Sequence, residues 1–306
     1  MSKAVRFEKY GDVDVLHVID VPTPTAGPGR VVVEVRAAGI NPGEMGIRSG
    51  AMKEIFPATF PSGEGSDFAG VVREVGANVA GFKPGQEVIG WSDERSSHAT
   101  HVSVPASQLA PKPAGLSWEV AGSLYVAGMA AWASVEAVKP EPGEVVVVSG
   151  ASGGVGSIAV QLLLLRGARV IGIVSRRNAD WLQNFGAIAV VHDEKLEEHL
   201  RIAAPDGIDA WVDVFGHGYV KMAVALGVKP ERINTTIDFQ AASELSAKTE
   251  GTAEASSAAN LEKLAQLVAS GKVQINIDAR YPLERVRDAY RELEKRQTRG
   301  KIVLVN

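Results

Sequence analysis

Cysteine is absent from this 306-residue chain. Disulfides, thiolate nucleophiles and every zinc site that needs a cysteine ligand are excluded with it. A basic surplus is also missing: Lys and Arg total 32 against 36 Asp and Glu, a net charge of −4. That balance offers no electrostatic footprint for nucleic acid or an anionic membrane. No apolar run approaches the length that spans a bilayer. The opening MSKAVRFEKYGD alternates and carries charge, unlike a secretory signal. No internal repeat is visible, and a cytoplasmic location is the expectation.

What is present suits two domains, because the length exceeds what one core comfortably fills. Residues 1 to about 110 read as short strands cut by Gly/Pro turns. RVVVEVRAAGI, FAGVVREVG and QEVIGW are the clearest of them. They predict a small, largely antiparallel β-domain. Trp118–Val138 is Ala-rich and predicts a helix leading into a second domain. From Glu144 onward, apolar strands alternate with helices, the pattern of a parallel sheet covered on both faces. KVQINID, Lys272–Asp278, reads as the last strand of that sheet. Phe239–Asn260 is polar and Ala/Ser-rich, a long loop with a short helix, in the position of a lid.

The densest signal is VVVVSGASGGVGSIAVQ, residues 145–161. It runs strand, glycine-rich turn, helix, the context of a dinucleotide-binding fingerprint. Ser152, Gly153, Gly154, Val155 and Gly156 form the candidate phosphate cradle. One glycine admits the pyrophosphate and the other lets the helix lie close to the strand. The helix N-terminus offers free N–H groups and partial positive charge. Packing alone also produces glycine turns, so the flanking strand and helix carry the inference. The next strand chooses the nucleotide. An NAD site wants an acid at its end for the ribose 2′-hydroxyl. Here the strand ends in Ser175, Arg176 and Arg177. No carboxylate repels a 2′-phosphate and two guanidiniums can clamp one; the competing reading is a solvated arginine pair. NADP(H) is the expected cofactor, with Phe215 and Thr236, at the ends of later strands, completing its contacts.

At this point the chain resembles the medium-chain dehydrogenase/reductase superfamily, in its zinc-independent quinone oxidoreductase (zeta-crystallin-like) branch. AAGINPGEMGIRSG, GSDFAGVVREVGANVAGFKPGQEVIG, the glycine fingerprint and YPLERVRDAYRELEKRQTRGKIVLV occur in family order across nearly the whole chain. The resemblance implies an α/β fold: a GroES-like β-domain from residues 1–120 and 279–306, and an inserted doubly wound Rossmann domain over 121–278. GKIVLVN should then pair back into the β-domain, with the active site in the interdomain cleft. The resemblance also implies hydride transfer from NADPH to a quinone or an α,β-unsaturated carbonyl, and a homodimer formed through a sheet edge. KVQINID would be that edge; the alternative is a monomer whose edge is covered by Phe239–Asn260.

Zinc relatives place Gly-His-Glu where this chain has Gly65-Ser66-Asp67, and the four-cysteine structural lobe is missing. His98 and His101 are spaced for opposite faces of a strand, not for one ion. No metal is expected. Asn41 is the candidate catalytic residue, orienting the nicotinamide ribose or the acceptor oxygen. A turn asparagine before Pro42 is the competing reading. Gly46 and Met52 stand where the branch carries tyrosines, which leaves the substrate open. Met45, Met52, Phe56 and Trp91 either line an apolar pocket or belong to the core. Two other functions remain open: an enoyl-thioester reductase, and a non-catalytic NADPH-binding sensor.

Overall fold

A computed structural model describes all residues, Met1–Asn306. The N-terminal part follows its punctuation. Strands β1 (Ser2–Phe7), β2 (His17–Val21) and β3 (Arg30–Gly39) precede helix α1 (Pro42–Ser49). Proline at the first helical position starts α1, and Gly50 at φ +82° stops it,. Strands β4 (Ser62–Gly63), β5 (Asp67–Val75), β6 (Glu87–Trp91), β7 (His101–Pro105) and β8 (Leu109–Pro111) follow.

The expected single helix over Trp118–Val138 is two, α2 (Trp118–Ala121) and α3 (Tyr125–Val138). The break has a steric cause. The backbone at Gly122 crosses β3 so closely that a Cβ there would stand 2.4 Å from the Ala37 carbonyl oxygen. Gly39 N–H donates to the Gly122 carbonyl at 2.7 Å across the same contact.

The alternating region then builds β9 (Val145–Ser149), α4 (Gly154–Leu165), β10 (Arg169–Val174), α5 (Ala179–Gln183), β11 (Ile188–Val191) and α6 (Leu196–Ala203). It continues through β12 (Ala210–Asp213), α7 (Tyr219–Ala225), β13 (Ile233–Thr235), α8 (Phe239–Leu245) and α9 (Thr252–Ala255). The five strands form one parallel sheet in the order β11-β10-β9-β12-β13. Val146, Val147 and Val148 are fully buried, as the unbroken valine run requires of a strand covered on both faces. Each such side chain contributes about 1.5–3 kcal/mol by leaving water.

The chain ends with α10 (Ala258–Ala269), β14 (Ile277–Pro282), α11 (Val286–Glu294) and β15 (Lys301–Val305). GKIVLVN does return to the first sheet: β15 pairs antiparallel with β3, Val303 opposite Gly39. That sheet has seven strands, β14-β15-β3-β5-β6-β8 with β7 also on β3, beside a three-stranded sheet β2-β1-β4. Two compact units result. The first is Met1–Val126, Ser257–Ser270 and Asn276–Asn306; the second is Ala127–Ser256 and Gly271–Ile275. Helix α10, which the sequence places in the inserted domain, therefore groups with the β unit.

One strand assignment is corrected. KVQINID is not the last strand of the parallel sheet: Lys272–Asn276 is irregular, and β14 starts at Ile277 and pairs parallel with β15. The Gln161 side chain replaces a ladder neighbour. Its oxygen accepts from Gln274 N–H at 2.7 Å and its amide donates to the Gln274 carbonyl at 3.0 Å. The parallel sheet's outer strand beside β12 is β13, with β11 at the opposite edge. Lys248 pairs with β13, donating to the Ile233 carbonyl and accepting from Thr235 N–H, each at 2.9 Å. Phe239–Asn260 thus contributes two short helices and a cover for part of that edge. No helix is long and apolar enough to cross a membrane.

Candidate functional site

In the second unit, the glycine turn sits at the carboxyl end of β9. Gly150 adopts φ +73°, a left-handed conformation that favours glycine. A Cβ on Gly156 would stand 2.2 Å from the Gly150 carbonyl oxygen, so this glycine lets α4 start hard against the turn. Gly153 differs: its nearest neighbour to a Cβ would be 3.4 Å away, leaving space on its outer side. The N–H groups of Gly154, Val155 and Gly156 open α4 and have no intrahelical partner. Open space, free donors and the helix dipole together fit a dinucleotide pyrophosphate.

Ser175, Arg176 and Arg177 lie exposed beyond the end of β10. Asn178, which sequence reading passed over, is buried and donates from Nδ2 to Ser152 Oγ at 2.9 Å. Phe215 lies against the turn, its Cβ 3.1 Å from where a Gly150 Cβ would be. Its ring stacks with His217 at 5.1 Å between centroids. Thr236 donates its N–H to the Asp213 carbonyl at 3.0 Å. The structure therefore gathers the sequence-chosen residues of this half at the carboxyl end of the sheet.

Asp213 holds much of that end in place. It is fully buried and accepts from Ser149 Oγ at 2.6 Å, Thr235 Oγ1 at 2.8 Å, Phe215 N–H at 3.1 Å and Gly216 N–H at 3.0 Å. A carboxylate closing the apolar strand AWVD was the available signal. Tyr219 turns inward and shares a 2.6 Å hydrogen bond with His192 Nδ1; burial pushes its phenol up to about 12.

In the first unit, Asn41 is buried within a polar cluster. Its Nδ2 donates to Glu44 Oε1 at 3.2 Å and Asp67 Oδ2 at 3.3 Å, and its oxygen accepts from Lys301 Nζ. Glu44 also accepts from Asn41 N–H at 2.7 Å, Ser66 N–H at 3.0 Å and Tyr290 O–H at 2.7 Å. The spacing Asn-x-x-Glu before a helix is a capping-box signal that would have found Glu44. Arg48 pairs with Glu64 and sits over the Tyr290 ring at 4.4 Å. Three carboxyls and two cations share this interior, so one retained proton makes it neutral. Burial accordingly pushes Glu64 up to about 8 and Asp67 up to about 6, the latter against the attraction of Lys301. Burial also raises the Tyr290 phenol well above its usual range.

The remaining candidates do not converge on Asn41. Met45 packs into a core with Phe7, Leu16 and Tyr290. Met52 faces Gly46, and Phe56 is exposed. Trp91 stacks on Tyr125 at 4.4 Å and donates to Asp93 Oδ1 at 3.0 Å. His98 is fully buried, with Nε2 3.2 Å from the Gly39 carbonyl; burial lowers its pKa. His101, on β7, lies 3.0 Å from Ser2 Oγ. No group of three or more His, Asp or Glu side chains is placed to hold a metal ion.

Residues 27–138 match the alcohol dehydrogenase GroES-like domain family and residues 185–304 the zinc-binding dehydrogenase family. A 2-methylene-furan-3-one reductase of Solanum lycopersicum is 30% identical, covering 99% of this chain and 78% of its own. An NAD-dependent alcohol dehydrogenase of Sulfolobus acidocaldarius is 29% identical over 99% of each chain. The solved quinone oxidoreductase of Coxiella burnetii is 28% identical with a TM-score of 0.88, covering 100% of this chain and 99% of its own.

Proposed function

The chain belongs to the medium-chain dehydrogenase/reductase superfamily, in its quinone oxidoreductase branch, and from that premise we propose that it is a zinc-independent, NADPH-dependent reductase of quinones or α,β-unsaturated carbonyls. Its relatives are oxidoreductases, and an oxidoreductase role follows from membership. The observation that carries the finer reading is the end of β10, where two exposed arginines stand and no carboxylate does. NADPH supplies a hydride when bound. The chain's own work is to hold its phosphates with the α4 N-terminus, Ser152, Arg176 and Arg177.

In this arrangement both amide hydrogens of Asn41 and one acceptor site of its oxygen are engaged within the cluster. Its role is to join α1, β5 and β15 at one buried point. No Lewis acid is required of acceptors whose own conjugation stabilises the charge left by hydride addition. Substrate selection then falls to shape around Gly46 and Met52, where the branch's tyrosine hydroxyls are missing. A homodimer and a cytoplasmic location stay part of the proposal on family grounds. The dimer's sequence argument, a free β-branched edge at KVQINID, has been removed by the fold.

NADPH consumption with a panel of quinones and enones tests the reading. Stoichiometric loss of NADPH and acceptor supports it. Tight NADPH binding with no turnover on any acceptor would favour the sensor, and activity confined to enoyl thioesters the third reading.

A further inference from the structure

We propose that Asn178 is a positioning residue for recognition of the nucleotide's 2′-phosphate, acting through Ser152. This rests on the NADPH reading above and deepens it. The segment after β10 carries Arg176 and Arg177 outward, but its last residue turns in: Asn178 is 5% exposed. Its N–H donates to the Ser175 carbonyl at 2.9 Å, closing the short turn that presents both guanidiniums. Its Nδ2 then donates to Ser152 Oγ at 2.9 Å. Ser152 lies between Gly150 and Gly153 in the glycine turn, with its hydroxyl on the side the arginine loop approaches. One part-buried hydrogen bond therefore ties the arginine loop to the phosphate turn.

The direction of that bond matters. A serine hydroxyl has one hydrogen to donate and two lone pairs. With the amide donating to its oxygen, the hydroxyl hydrogen is left for an oxygen of the 2′-phosphate. A carboxylate at position 178 would do the opposite. It would take the Ser152 hydrogen and set a negative charge beside the 2′-phosphate. An amide thus suits NADPH where an acid would oppose it. Tying the loop also removes ordering cost from binding, since the guanidiniums are already carried at a fixed place relative to the turn. NADH, lacking the 2′-phosphate, gains little from that placement.

The test is titration of the full-length protein with NADPH and with NADH, for the unaltered chain and for Asn178→Ala, Ser152→Ala, the double variant and Asn178→Asp. Asn178→Ala is expected to weaken NADPH about fivefold, the worth of one hydrogen bond, and NADH by less than about twofold. Asn178→Asp is expected to weaken NADPH more than Asn178→Ala does. The double variant should bind NADPH no worse than the weaker single variant, because both act through one bond. A merely structural asparagine would lower the melting temperature and weaken both nucleotides in equal proportion, which overturns the proposal. An NADPH preference that persists intact in Asn178→Ala overturns it alone. Equal affinities in the unaltered chain overturn the NADPH reading and this proposal together. Should Asn178→Ala not fold, Ser152→Ala at the partly exposed turn carries the same comparison: an unchanged NADPH-to-NADH ratio there refutes the link.

Discussion

Lys301 donates its ammonium hydrogen to the side-chain oxygen of Asn41, a contact between residues 260 positions apart. It joins the last strand to the start of α1, and the same ammonium lies 3.6 Å from Asp67. Removing it strands a buried carboxylate. Lys301→Met should cost about 3–5 kcal/mol of unfolding free energy in a denaturant titration. A loss below about 1 kcal/mol, the range of exposed pairs, would show that the cluster is hydrated.

Glu64 gives the cluster a pH signature. Its carboxyl, pushed up to about 8 by burial, keeps a proton that the unfolded chain releases near 4.5. Its contribution is therefore full below pH 4.5 and is lost as pH rises towards 8. In that window the native state binds more protons, and stability falls by at most about 1.4 kcal/mol per pH unit from this group. Glu64→Gln should flatten this part of the profile between pH 6 and 8 while folding normally at pH 6. A parallel decline in variant and unaltered protein would refute the assignment.

The two fingerprint glycines should fail differently. Gly156→Ala places a methyl 2.2 Å from a backbone oxygen and should lower the melting temperature sharply. Gly153→Ala has 3.4 Å of clearance and should fold well but bind nucleotide poorly. Calorimetry and nucleotide titration separate the outcomes; equal melting temperatures would contradict the division of labour.

The proposed NADPH reading puts cofactor preference at the end of β10. Arg176→Ala with Arg177→Ala should remove an NADPH preference of roughly tenfold or more, from charge-assisted hydrogen bonds of about 1.5–3 kcal/mol each. Dissociation constants for NADPH and NADH that keep their ratio in the double variant would place the determinant elsewhere.

The legible parts of this protein were local ones. Strand, glycine turn and helix over 145–161 are neighbours in sequence, so their pattern could be read directly, and so could the acid-free end of β10. What escaped depended on distant partners. Asn41 was visible as a polar residue before a helix, yet Lys301, which occupies its oxygen, sits at the far end of the chain. Lys272–Asn276 has strand composition, but Gln161 on α4 satisfies Gln274 and no ladder forms. Trp118–Val138 has helical composition, and the crossing at Ala37 breaks it. Asn178 gave no sequence signal: only burial against Ser152 distinguishes it from a loop asparagine.

The most direct measurement is kcat/KM for NADPH and for NADH with the best acceptor of the quinone and enone panel, before and after prolonged chelation. NADPH is expected ahead by roughly tenfold or more, with values unchanged by the chelator. NADH equal to or better than NADPH, or activity lost on chelation and restored by zinc, would contradict the proposed function.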